Sequence, residues 1–262
     1  MKNIMYHQIG NASNSYGIKI SNFRKQLNYF QKFNKAKFTL TFDHGTIDHL
    51  KYAVPELEKR GLKGIFFILT MIPERFELPV EDKQRKLEQK LGKKLVKILC
   101  EELKFPYNPR VSFNYLSRFK FYSNEERYLR YLRNKKIDKK DYLNFINKIF
   151  IKKVGSEASF IKKNYLSWKN IKDIFNRGHI IGSHSHNHIG DFNDYKLSLN
   201  FLKDILNTKV DLISYPNGEK NINDDQLKKL KIKKAFTTNL IAKKNLYQLP
   251  RIDCNQLNLK KY

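Results

Sequence analysis

Two short stretches of this sequence concentrate groups able to hold an ion and move a proton. The first, FTLTFDHG (Phe38 to Gly45), is an apolar, β-prone run that ends at an acid, an imidazole and a glycine. The second, GHIIGSHSHNHIGD, packs three of the seven histidines, His184, His186 and His188, into five residues directly after another apolar run. Neutral imidazole is the commonest nitrogen ligand for zinc and suits cobalt or nickel as well. His184 and His188 are four residues apart, so both rings can converge on one ion if the chain turns between them. Asp43 and His44 are adjacent and would point in different directions, which lets one ligate while the other stays available as a base. A third stretch, SYPNG (Ser214 to Gly218), closes an apolar run with a turn that can expose backbone N–H groups and line a pocket. Taken singly, a solvated histidine cluster and an ordinary turn account for these residues equally well.

The elements around them give the clusters a common address. Phe38 to Phe42 reads as a strand, His49 to Lys59 as a helix stopped by Gly61, and Gly64 to Leu69 as a buried strand, one βαβ unit. Ile4 to Ile9 reads as an earlier strand, and Ser21 to Phe33 as a helix with Phe23, Leu27 and Phe30 on one side. Further on, Ser167 caps a helix that ends at Gly178. A strand follows at Ile180 to Gly182, a helix at Tyr195 to Leu206, a strand at Asp211 to Tyr215 and a helix at Asn223 to Leu230. Short strands close the series near Ala235 to Thr238 and Tyr247 to Leu249. This alternation is the order of a parallel sheet wrapped by helices, and both histidine-bearing clusters fall at the C-terminal ends of predicted strands, where an α/β barrel gathers its reactive groups. Between Pro73 and Lys163 the alternation lapses into charged, helical patterns such as YLRYLRNKKI and DYLNFINKIF. The reading is one domain over residues 1–262 with a helical insertion at about 73–163, a lid or a partner surface.

Composition bounds the function classes. With 262 residues, 40% of them hydrophobic and 13% aromatic, the chain can bury a sizeable core and is not a disordered polymer. The formal net charge of +27 favours contact with anionic glycans, phosphates or a negatively charged membrane surface. The basic residues are scattered along the whole length without a long uninterrupted block, which argues against a dedicated nucleic-acid partner. Cys100 and Cys254 have no metal-site spacing and suggest a reducing compartment. No stretch nears the roughly 20 apolar residues of a membrane span, and the opening MKNIMYHQIG reaches polar residues before a signal core forms. A cytoplasmic location, with peripheral membrane contact left open, is the expectation.

The series FTLTFDHG, GIFFI, YLSWKNIKDIFNRGHIIGSHSHNH, LISYPNGEKN and YQLPRID resembles the polysaccharide deacetylase family, the NodB-homology carbohydrate esterases. It covers Lys37 to Asp253 apart from the insertion, and MYHQIG resembles the lead-in of many members. The resemblance implies a distorted (β/α) barrel and a divalent metal, zinc, cobalt or nickel. The family's T-F-D-D-G motif falls on Thr41 to Gly45: its first acid, the catalytic base, becomes Asp43, and its second, a metal ligand, is replaced by His44. Its H-[ST]-x-x-H motif falls on His184 to His188 and supplies the other two ligands, with His186 outside the set. The substrate implied is an acetylated sugar or glycan precursor, most readily an N-acetyl one. Tyr215, Pro216, Asn217 and Gly218 would line the substrate and oxyanion side.

The departures are specific. The family's general-acid histidine near the C-terminus has no counterpart, because no histidine follows His188. The proton for the leaving amine must come from elsewhere, with Asp43 itself one source. The family arginine before the Pro-Tyr motif is also missing, Ser214 and Tyr215 standing there, and Arg251 in LPRID is the candidate to orient Asp43 in its place. His49 reads as a helix-surface residue, and His7 likewise, although at a strand end it could reach the same face. A deformylase or amidohydrolase on the same scaffold, and a catalytically impaired glycan-binding homologue, are the competing readings.

Overall fold

The computed structural model describes residues 2–10, 17–32, 38–117, 122–241 and 245–257. Among them are nine strands: β1 (Lys2–Tyr6), β2 (Gln8–Gly10), β3 (Gly17–Lys19), β4 (Phe38–His44), β5 (Gly64–Ile68), β6 (Ile180–Ser183), β7 (Leu212–Ser214), β8 (Lys234–Thr237) and β9 (Leu249–Asp253). Seven of these close into an all-parallel barrel in the order β1-β4-β5-β6-β7-β8-β9, with β9 pairing back onto β1. β2 and β3 form a separate two-stranded parallel pair. The described residues divide into two compact units, the barrel unit and a second built on Leu78–Phe160.

In the barrel unit the strands are apolar on both faces, as expected of a parallel sheet covered by helices. β5 shows this clearly. Phe66 and Ile68 join a large cluster with Phe23, Leu27 and Phe30 of α1 (Ile20–Lys32) and Leu57 of α2 (Val54–Glu58). The alternate residues Ile65 and Phe67 meet Phe236 of β8 in a small cluster made only of strand residues, which is the barrel interior. Gly182 of β6 makes room for that interior, since a Cβ there would lie 2.5 Å from the Phe67 ring. α3 (Met71–Arg75) follows β5 in this unit.

Helices account for most of the second unit: α4 (Val80–Leu91), α5 (Lys94–Glu102), α6 (Asn124–Lys135) and α7 (Lys139–Lys153). Ser123 and Glu126 close a capping box on α6, and Asp138 caps α7. α8 (Glu157–Asn164) and α9 (Trp168–Asn176) follow. α9 carries the expected Ser167 cap and stops short of Gly178. α10 (Phe192–Leu206) and α11 (Asp224–Lys229) complete the series. No helix among the described residues is long and apolar enough to cross a membrane.

Three local expectations are corrected. The single strand at Ile4 to Ile9 is two strands broken at His7, because β1 pairs with β4 only as far as Tyr6 while Gln8 pairs with β3. The helix from His49 begins as a π-helical turn, His49–Ala53, before α2. The last strand lies further along than Tyr247 to Leu249, running Leu249–Asp253, which carries Arg251 into the sheet.

Candidate functional site

The site draws its residues from β4, β6, β7 and β9, four strands of the closed barrel of which only β6 and β7 are neighbours. Asp43 and His44 are the last two residues of β4 and separate as alternation requires. Asp43, 1% exposed, meets Arg251 of β9 in a two-pronged ion pair at 2.7 and 2.8 Å. Arg251 is 2% exposed and lies over the Phe67 ring, inside the barrel. Burial by itself would raise the Asp43 carboxyl. The Arg251 guanidinium and the imidazoles of His184 and His7 more than offset this and hold it well below the usual carboxylate range.

His44 turns the other way on a left-handed backbone (φ 74°). His184 follows β6 directly, its N–H donating to the carbonyl of Ile68 at 2.8 Å, so the ladder with β5 fixes its place. Beyond it, Ser185 (φ 68°) and His188 (φ 62°) are left-handed as well, and these turns bring His188 back beside His184. The loop is pinned by Asp194 near the start of α10, which accepts the N–H groups of Asn187, Ile189 and Gly190 at 2.6, 2.9 and 2.9 Å. Those amides outweigh the effect of burial and keep the Asp194 carboxyl low. Asp194 carries one local signal in the sequence, an acid just inside a helix that follows a histidine-rich loop.

His44, His184 and His188 thus converge, one ring nitrogen from each lying within 4.8 Å of the others. All three are buried, at 5%, 2% and 9% exposure. Nδ1 of His184 is within 2.6 Å of the Ser214 hydroxyl, which donates to Asp43 Oδ1 at 3.4 Å. With Nδ1 so engaged, Nε2 of His184 carries the lone pair toward the cluster. Three buried imidazoles sharing one focus suit a divalent cation of the zinc, cobalt or nickel type, and a hydrogen-bond partner behind such a ring is the usual way to orient it. Ser214 was read only as a substitute for a missing arginine; its place in the relay depends on the β6–β7 pairing.

His186 stands apart. Fully buried, it faces the Thr70 hydroxyl through Nδ1 at 2.9 Å and stacks on Phe201. Tyr215 is corrected from a substrate-lining residue to a core one: its ring packs with Tyr195, Ile213 and Leu227, and its hydroxyl donates to the carbonyl of Tyr247 at 2.7 Å. The N–H groups of Tyr215 and Gly218 already donate to Phe236 and Tyr215 carbonyls, and Pro216 has none, so these three supply no oxyanion donor. Asn217 is the exposed member of the turn, on a left-handed backbone (φ 55°).

Two histidines set aside as surface residues are corrected too. His49 is fully buried against Phe42 and Phe66 and hydrogen-bonds through Nε2 to the carbonyl of His7. His7 is half-buried, its ring centroid 5.6 Å from that of His44. β1 lies between β9 and β4 in the barrel, so a residue just after β1 reaches the neighbourhood that a residue after the last strand would occupy.

This is the fold of the polysaccharide deacetylases. The deacetylase PplD of Streptococcus pyogenes, solved with acetate, superposes with a TM-score of 0.57 at 17% identity, over 97% of this chain and 91% of that one. IcaB from Ammonifex degensii gives 0.53 at 14% identity, over 96% and 90%. The de-N-acetylase of Aggregatibacter actinomycetemcomitans gives 0.55 at 13% identity, over 97% and 95%. No protein-family model and no curated protein matches the sequence.

Proposed function

We propose that this protein is a metal-dependent hydrolase that removes an acetyl group, N-linked in its natural substrate, from a sugar or glycan precursor. The observation that carries the reading is the convergence of His44, His184 and His188 beside the buried Asp43–Arg251 pair at one end of the barrel. His44, His184 and His188 hold the ion. A divalent cation held there would raise the acidity of a water and polarise the acyl carbonyl, so that a carboxylate as weakly basic as Asp43 could serve. Asp43 accepts the proton of the attacking water, and Arg251 keeps it charged and aimed. Asn217 supplies contact at the acyl oxygen. His7 gives a proton to the departing nitrogen, so that water is consumed, the C–N bond breaks, and acetate and a free amine leave.

The two cysteines, both buried and unpaired, support a reducing, cytoplasmic setting. The positive charge supports anionic glycan or membrane surfaces as neighbours of the substrate. The test is metal content and acetate release together. Purified protein should hold near one equivalent of zinc, cobalt or nickel, lost in His44→Ala and His184→Ala, and should release acetate from oligomers of N-acetylglucosamine. Formate release from formamides without acetate release would reassign it to a neighbouring C–N hydrolase. Metal binding with neither product would leave a glycan-binding homologue, to be checked with the same oligomers.

A further inference from the structure

Beside the site, three side chains of the segment after β4 are turned toward the β1–β2 junction and take no part in the ion cluster. Oδ2 of Asp48 accepts the N–H of Ile9 at 2.6 Å. The Thr46 hydroxyl donates to the other oxygen of Asp48, which fixes the carboxylate. His49 donates from Nε2 to the carbonyl of His7. Together they grip the backbone on either side of one peptide-length stretch, His7 to Ile9.

Its first residue, His7, is where the sheets give no guidance. Pairing of β1 with β4 ends at Tyr6, and pairing of β2 with β3 starts at Gln8, so His7 sits at a seam between two ladders. Its side-chain direction follows from whatever sets the backbone there. His49 is well suited to do so: its ring packs against the stacked pair Phe42 and Phe66, and its own N–H, at the head of the π-helical turn it opens, donates to the Thr46 carbonyl at 3.1 Å. A π-type turn is a rare local geometry, often found next to functional sites. The donor role at Nε2 also sets the tautomer, leaving Nδ1 as a buried acceptor without a hydrogen-bond partner. A buried imidazole held in this way, with one ring nitrogen unmet, is better explained by the placement of its partner than by packing alone.

We propose that Asp48 and His49 are positioning residues that aim the His7 imidazole at the ion-binding cluster, a role that rests on the reading of His7 as proton donor. A donor to the leaving group matters for an amine, which departs only with a proton, and little for a phenolate, which leaves unaided. Displacing a positioned group by about 1 Å can cost on the order of 100-fold in rate.

The experiment compares His49→Leu, which removes the donor at similar volume, with His49→Gln, whose amide can restore it, and with Asp48→Asn should the leucine variant fail to fold. Each is assayed as the zinc-loaded enzyme on an N-acetylglucosamine oligomer and on an activated aryl acetate. The ratio of the two kcat values should fall about tenfold or more in His49→Leu, with KM and zinc content as in wild type, and recover in His49→Gln. In a His7→Ala background the leucine change should add no further loss. Apart from activity, the His7 imidazole resonance, assigned by its disappearance in His7→Ala, should shift in His49→Leu and return in His49→Gln. Additive losses, an equal fall on both substrates, or an unmoved His7 resonance would overturn the proposal. A wild type inactive on both substrates would instead remove the deacetylase reading, and this role with it.

Discussion

Two buried polar networks, one in each unit, use the same parts to different ends. In the helical unit Arg130, 4% exposed, clasps Glu88 with both terminal nitrogens at 2.7 and 3.1 Å, and also donates to the Glu126 carbonyl. Gln84 joins them, its amide donating to Glu88 and its oxygen accepting from Tyr142 and Arg133. That chain closes within the helical unit, where Arg133 also donates to Asn134 and pairs with Glu81. In the barrel the clasp of Arg251 on Asp43 runs on through Ser214 to His184, and there it meets His44 and His188. A forked arginine–carboxylate pair is therefore no mark of a site. What marks the barrel network is that it terminates on converging imidazole nitrogens rather than on itself.

The sharpest way to break this contrast is at the carboxylate. Asp43→Asn should lower the rate of acetate release by roughly 10²–10⁴-fold, the span of a general base, while zinc content holds; an unchanged rate would make the barrel clasp as purely structural as the helical one. Next comes removal of each arginine. Arg130→Ala leaves the half-buried Glu88 its Gln84 donor, whereas Arg251→Ala strands the buried Asp43. The second should destabilise by roughly 3–5 kcal/mol in urea titration and the first by less. Only the second should also depress acetate release in the protein that remains folded.

Ser214→Ala should weaken zinc binding by about 10–100-fold, the usual effect of losing a partner behind a histidine ligand, with the urea midpoint close to wild type. The smallest effect is expected at Asp253, where burial pushes the carboxyl up to about 6. An acid raised in the folded state binds more protons folded than unfolded between its ordinary value and about 6, so stability falls as pH rises through that window. Asp253→Asn keeps the acceptor for the Asn255 N–H and should raise Tm at pH 8 by a few degrees but not at pH 4. A gain of the same size at both values would mean that charge is not the cause.

Much of the barrel was legible because its signals are local. A strand that ends in Asp43-His44-Gly45 and a loop holding His184, His186 and His188 declare their side-chain types and their place at strand ends, and the Ser167 cap and Gly178 bracket α9 as read. Local patterning failed where a residue's environment is made by distant chain. His7 and His49 look like any polar residues beside a strand and on a helix, and nothing in their neighbours tells that one is gripped by the other. Tyr215 sits in a turn that reads as a pocket lining, yet Tyr195 and Leu227 enclose it.

The sequence by itself determined the alternation of strands and helices, the clustering of histidines and the pairing of an acid with an imidazole, because periodicity and side-chain chemistry act over a few residues. Closure of the barrel decided the rest. Only when β9 pairs with β1 does Arg251 reach Asp43, 208 residues away in sequence, and only the β6–β7 pairing sets Ser214 behind His184. Strand order is a property of the whole chain, set by which packing buries the most apolar surface, and it is strand order that turns scattered residues into one site.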